Sequence, residues 1–155
     1  MLECFLKKEK NFLNNSQNSM ANLIVYTDGG SRGNPGPAAI GFYITDDKGN
    51  ELAKYGKKIG LATNNSAEYL AVISALEWLK LNRELQTKSV RFFLDSKLIV
   101  NQLNGIFKIK EARLRNLIVK IRQLEREIGI NIFYSYIPRE KNKIADNLVN
   151  HSFGC

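Results

Sequence analysis

The feature that most constrains the fold of this 155-residue chain is a change of apolar period after residue 58. Upstream of it, Leu23-Ile24-Val25-Tyr26-Thr27, residues 39–45 and residues 51–58 are short strand-type runs. Asp46-Asp47-Lys48-Gly49-Asn50 joins the second to the third as a hairpin loop. Gly29-Gly30-Ser31-Arg32-Gly33-Asn34-Pro35-Gly36-Pro37 has turn composition and separates the first two runs. From 66 to 80 the spacing becomes helical, carried by Tyr69, Val72, Ile73, Leu76 and Leu79, with Asn65 or Ser66 as N-cap. Ala71 and Ala75 share a side with Glu68, where small residues let a helix lie close to a sheet.

Downstream, residues 90–94 read as a buried strand and residues 96–104 as a short helix stopped by Gly105. Leu114, Leu117, Ile118, Ile121, Leu124 and Ile128 mark an amphipathic helix, and residues 130–137 alternate as a fifth strand ended by Pro138. A last helix is expected at 141–150. The order βββαβααβα predicts an α/β fold, a five-stranded mixed sheet with helices packed on it. Strands 1–3 are antiparallel, and strands 4 and 5 are parallel additions. Residues 1–21 are expected to be a disordered leader, with Met20 an alternative start. Residues 22–151 form the single folded domain and 152–155 a tail.

Four carboxylates stand out against this frame. Asp28 and Asp95 follow strand-type runs, Glu68 follows Thr63-Asn64-Asn65-Ser66-Ala67, and Asp146 follows Lys143-Ile144-Ala145. Taken singly, each reads as a solvated surface group. Gathered at one rim they would repel unless a cation sat between them, and oxygen-only ligands suit a hard ion such as Mg²⁺ or Mn²⁺. The surrounding chain is basic, at net +8, and residues 106–143 hold ten Lys or Arg against four Glu. Metal-assisted chemistry on a polyanion follows from that contrast. No apolar stretch approaches the ~20 residues of a membrane span. The patch Cys4-Phe5-Leu6 is too short for a signal-peptide core. Cys4 and Cys155 have no metal-type spacing, and reduced thiols in a cytoplasmic monomer are expected.

The motifs carry a resemblance. Tyr26-Thr27-Asp28-Gly29-Gly30-Ser31-Arg32-Gly33-Asn34-Pro35-Gly36-Pro37, Thr63-Asn64-Asn65-Ser66-Ala67-Glu68, Leu94-Asp95-Ser96 and Ile137-Pro138-Arg139-Glu140-Lys141-Asn142-Lys143-Ile144-Ala145-Asp146 resemble ribonuclease H, type 1, in sequence order and in element order. The resemblance runs from about Leu23 to Val149. It implies the ribonuclease H fold and hydrolysis of the RNA strand of RNA/DNA hybrids. It also implies two Mg²⁺ ions, with Mn²⁺ as a substitute, held by Asp28, Glu68, Asp95 and Asp146, and products bearing a 5′ phosphate and a 3′ hydroxyl. Asp28 would bridge both ions, and Glu68 would also lie near the RNA 2′-hydroxyl.

Substrate-binding positions carried over in the same way are Gly29, Gly30, Asn34, Asn64, Asn65, Ser96 and Lys97. An amide both donates and accepts, which suits a 2′-hydroxyl. Turn and cap chemistry accounts for the same asparagines, glycines and serine. Two departures bear on mechanism. Relatives place a His in the loop before the last acid, and this loop has none. His151 lies five residues past Asp146, about 140° around a helix. Arg139 is the stand-in, as a phosphate- or water-positioning cation; a surface Arg is the bland alternative. The connection 103–110 lacks the longer basic, Trp-containing protrusion of some relatives, as in the compact archaeal or bacterial form, and Trp78 reads as core. Two rivals stay open: a broader nuclease that also cuts double-stranded RNA, and a hybrid-binding module that does not cleave.

Overall fold

A computed structural model describes residues 5–8, 21–85 and 87–154. Six strands form one sheet in the order β1-β4-β3-β2-β5-β6. They are β1 (Phe5–Lys8), β2 (Ala21–Ser31), β3 (Gly36–Asp46), β4 (Glu51–Ala62), β5 (Thr87–Leu94) and β6 (Asn131–Tyr136). The helices are α1 (Asn64–Leu81), α2 (Lys97–Leu103), α3 (Ala112–Ile128) and α4 (Lys143–Phe153). The expected five-stranded mixed sheet is β2–β6: β2, β3 and β4 pair antiparallel, and β5 and β6 add in parallel.

β1 is the addition. Its Phe5 pairs with Gly56 and its Lys8 with Ala53, antiparallel on the edge of β4. So the stretch expected as a disordered leader contributes a strand, while residues 1–4 and 9–20, and with them Cys4 and Met20, lie outside the described residues. At the other end α4 continues to Phe153 with Ser152 buried, so the expected tail is in part helix; Cys155 lies outside the described residues. No helix among the described residues is long and apolar enough to cross a membrane.

Two helix layers sandwich the sheet, and glycines set how closely they approach. A Cβ on Gly29 would stand 2.3 Å from the Ala67 backbone, so α1 presses directly on β2. On the opposite face a Cβ on Gly41 would meet the Ala145 carbonyl oxygen at 2.8 Å, and one on Gly56 the Leu148 carbonyl at 2.7 Å, which seats α4 on β3 and β4. The main core lies between the sheet and α1 with α3. It contains Leu23, Val25, Phe42, Tyr69, Leu76, Phe92, Ile121 and Leu124, with Trp78 packed against its margin. Gly129, in the left-handed region at φ 73°, ends α3 and turns the chain into β6.

One boundary differs from the expectation in a way that matters for the site. β2 does not stop at Thr27: it runs through Asp28, Gly29 and Gly30 to Ser31, paired with residues 38–41 of β3. Gly29 and Gly30 are therefore strand residues, and the turn is confined to 32–35. The parallel ladder to β5 gives its last register pair at Tyr26 and Phe93. Asp28 thus stands where β2 has lost its neighbour on one side, and Asp95 follows the end of that neighbour.

Candidate active site

Four elements converge at this rim. β2 supplies Asp28, α1 supplies Glu68, the end of β5 supplies Asp95, and the first turn of α4 supplies Asp146. One carboxylate oxygen each from Asp28, Glu68 and Asp95 lies within 4.8 Å of the other two. Asp28 is 2% and Glu68 8% exposed. Asp146 stands outside that triad, with Oδ1 accepting from the Arg139 guanidinium at 3.3 Å. Of the four predicted acids, the structure brings three together and ties the fourth to the predicted Arg139.

The electrostatics follow from burial. Burial pushes the Asp28 carboxyl up from 3.8 to about 7, helped by the charges of Asp95 and Asp146 and opposed by a hydrogen bond from Glu68 and by Arg139. Glu68 rises well above the usual carboxylate range, first through burial and then through Asp28 and Asp95. Both carboxyls of the pair are thus raised, so without a cation the pair holds on to protons where ordinary carboxylates have lost theirs. The Glu68 Oε2 is buried without a hydrogen-bond partner among the described residues. Arg139 rises above its ordinary value, chiefly through its bond to Asp146. Buried acids held protonated beside an unpartnered carboxylate oxygen fit a hard divalent cation, which would replace the proton and favour the charged forms.

Asparagines flank the acids. The helix cap is Thr63, two positions before Asn65, the nearer of the two expected caps, with its Oγ1 accepting from the Ser66 N–H at 3.1 Å. Asn64 and Asn65 consequently sit in the first turn of α1. The Asn64 Oδ1 accepts from the Ser31 N–H at 2.9 Å, and the Asn34 Oδ1 accepts from the Asn64 N–H at 3.0 Å. A backbone N–H can only donate, so both oxygens are fixed inward and each Nδ2 remains as a donor. Asn34 and Asn64 thus lock two loops together while keeping donors for a ligand. Gly29 is explained by the approach of α1; a Cβ on Gly30 would meet only Val149, at 3.9 Å. Ser96 caps α2 through its Oγ, which accepts from the Ile99 N–H. Lys97 is exposed, with its ammonium over the Tyr136 ring at 5.1 Å.

Beside Asn65 runs a groove of about 510 Å³, lined among others by Gln102, Phe107, Lys108 and Lys110. Arg122, counted in the basic stretch, turns instead to the Leu103 carbonyl and Glu125. The sequence reading did not single out Asn142, which is 1% exposed and bonds to the Thr27 carbonyl and to Asp95. The expected last helix, 141–150, placed Asn142 inside it, whereas α4 begins at Lys143 and leaves Asn142 just before it.

Comparison with known proteins matches this architecture. Residues 26–152 match the family model described as reverse transcriptase-like. LC11-RNase H1, isolated from compost by a metagenomic approach, superposes with a TM-score of 0.81 at 47% identity, covering 87% of this chain and 97% of that one. The same protein is also known in complex with an RNA/DNA hybrid. RNase H1 from the halophilic archaeon Halobacterium salinarum gives a TM-score of 0.78 at 36% identity, covering 86% and 98%. Among curated sequences, the bifunctional protein Rv2228c of Mycobacterium tuberculosis is 39% identical over 129 residues, 83% of this chain and 34% of its own length. Ribonuclease HI of Halobacterium salinarum is 38% identical over 128 residues, 83% of this chain and 62% of its own length. The chain thus spans about a third of the mycobacterial relative and under two thirds of the archaeal one. With the mixed sheet β2–β6 and its four helices, the acid triad and these matches together, the chain belongs to the type 1 ribonuclease H family.

Proposed function

We propose that this protein hydrolyses the RNA strand of RNA/DNA hybrids, using two Mg²⁺ ions held by Asp28, Glu68, Asp95 and Asp146, with Mn²⁺ as a substitute. The products would carry a 5′ phosphate and a 3′ hydroxyl. The observation that carries this reading is a triad of carboxylates within 4.8 Å of one another, Asp28 and Glu68 buried and Asp95 half-buried, at the rim of a +8 chain. When bound, such ions supply the Lewis acidity that makes water nucleophilic near neutral pH and that stabilises charge on a departing oxygen. Everything else is the chain's own work. Asp28, held by β2 and grouped with Glu68 and Asp95, would be one of the carboxylates that hold the cations. Glu68 would join it, since its buried Oε2 has no hydrogen-bond partner among the described residues and is available to a cation.

Specificity for RNA comes from the outward Nδ2 groups of Asn34 and Asn64, which donate to minor-groove acceptors and 2′-hydroxyls. Asn65 and the exposed Lys97 extend that surface, and Gly30 leaves room beside it. Lys108 and Lys110 line the groove next to Asn65 and offer charge to the phosphates of a strand running along it. Arg139, 73% exposed on its side chain, can swing from Asp146 to the scissile phosphate. It acts by position and charge, since a guanidinium keeps its proton near neutrality. A non-cleaving binder would gain nothing from buried acids that repel the polyanion it binds.

The test is incubation of end-labelled RNA/DNA hybrid, double-stranded RNA and single strands with Mg²⁺, Mn²⁺ or EDTA. Cleavage of the hybrid's RNA strand alone, lost in EDTA, supports the proposal. Equal cleavage of double-stranded RNA would widen the substrate class, and no cleavage with either ion would overturn the enzyme reading.

A further inference from the structure

Asn142 stands immediately before α4, where an asparagine side chain would ordinarily accept from the helix's first free N–H groups. Here it makes no such cap. Its Nδ2 instead reaches across the rim and donates both to the Thr27 carbonyl at 2.9 Å and to Asp95 Oδ2 at 3.0 Å. The orientation is forced, because a carbonyl can only accept and so draws the nitrogen inward. Thr27 lies just beyond the last register pair of β2 with β5, so the amide takes over where the ladder gives out. The Asn142 carbonyl accepts from the Asp146 N–H at 3.1 Å. One residue therefore touches the backbone beside Asp28, the side chain of Asp95 and the backbone of Asp146.

We infer that Asn142 is a positioning residue that sets the mutual placement of three acids, holding Asp95 by one oxygen and indexing β2 and α4 to each other. A tie between loop and strand would need only the Thr27 contact; the second hydrogen is spent on a carboxylate. The amide also carries a cost that a plain spacer would not, since its Oδ1 is buried without a hydrogen-bond partner among the described residues. Residues that orient ligating carboxylates in this way govern cation affinity more than substrate affinity.

The inference rests on the proposed metal-dependent chemistry, and its test separates the two. Asn142→Ala and Asn142→Ser are compared with the parent by circular dichroism and by metal-free melting. They are then compared by the Mg²⁺ concentration that gives half the thermal shift without hybrid, and by kcat and KM at saturating Mg²⁺. The half-point is expected to rise about tenfold and kcat to fall by a similar factor, with KM for hybrid unchanged. A folded variant whose Mg²⁺ half-point and kcat match the parent's would overturn the inference while leaving the proposed function standing. If Ala does not fold, Ser carries the test; if neither folds, the amide is a structural tie and the inference falls. A parent without any Mg²⁺ response would sink both.

Discussion

Replacing Asp28 by Asn separates charge from shape at the centre of the acid cluster. Asp28 is 2% exposed, and its carboxyl is pushed from 3.8 to about 7 by burial, Asp95 and Asp146. Between those values the native state holds a proton that the unfolded chain has released. Stability of the cation-free protein therefore falls as pH rises from about 4 to about 7 and levels off above. At about 1.4 kcal/mol per pH unit, the interval sets a ceiling on the order of 4 kcal/mol for what ionising Asp28 costs the folded state. The variant never carries that charge. Its amide must still be desolvated, so roughly half the ceiling, ~2 kcal/mol, is expected as a net gain at pH 8.

For a chain of this length that gain is a rise in Tm of roughly 4–8 °C. The measurement is thermal unfolding in EDTA at pH 8 and at pH 4. At pH 4 the parent's Asp28 is already protonated in the fold, so the difference should close. Added Mg²⁺ should raise the parent's Tm and leave the variant's nearly unmoved. Hybrid cleavage should be lost in the variant at every pH. A Tm gain of equal size at both pH values, a loss of stability at pH 8, or parental turnover would each refute the account of Asp28 as a buried, charge-strained ligand.

Other positions yield sharper yes-or-no outcomes. Gly29→Ala forces a Cβ to within 2.3 Å of the Ala67 backbone and should cost about 3 kcal/mol or more in urea unfolding. Gly30→Ala, with only Val149 at 3.9 Å, should be tolerated, and equal costs would contradict the packing argument. Asn64→Asp keeps the acceptor that Ser31 needs and removes the outward donor. KM for hybrid should rise about tenfold with little change in Tm, and an unchanged KM would confine Asn64 to its loop lock. Arg139→Ala should lower kcat more than it weakens hybrid binding, and Arg139→Lys should recover part of the loss, since a point charge lacks the planar fork. Parental turnover of Arg139→Ala at saturating hybrid would make it a surface residue.

What could be read in the sequence, and what could not, divides by the range of the interactions involved. The period change and the β-type runs depend on neighbours within a few residues, and they located β2–β6 and α1–α4 to within a few positions. Gly29 misled because glycine pairs are common in turns, whereas its reason for being glycine is the backbone of α1, 38 positions away. The α1 cap lay among four consecutive capping-type residues, Thr63 to Ser66, and composition alone does not choose between them. The choice is made by Asn34 and Ser31, which claim the Asn64 N–H and side chain and leave Thr63 to cap. β1 is an edge strand paired, among the described residues, with β4 alone, so four residues had no local pattern to declare it. The acids were legible because each sits inside a motif, while Asn142 gains its meaning from Thr27, 115 positions earlier.

Charge ties the site to the rest of the molecule. The chain carries +8 overall, yet its rim concentrates carboxylates. Without cations, burial and mutual repulsion raise the Asp28 and Glu68 carboxyls so that they hold protons, and Asp146 pairs with Arg139. Under the proposed function, Asp28, Glu68, Asp95 and Asp146 would hold cations in place of protons, which would turn the local field from repelling to attracting and would leave the Arg139 guanidinium available to a phosphate. Each cation then favours hybrid binding, and by linkage bound hybrid must favour each cation by the same factor. Under that same reading, the part-protonated, partly self-paired acid cluster is the cation-free form of the site, and its charge would develop as cation binds.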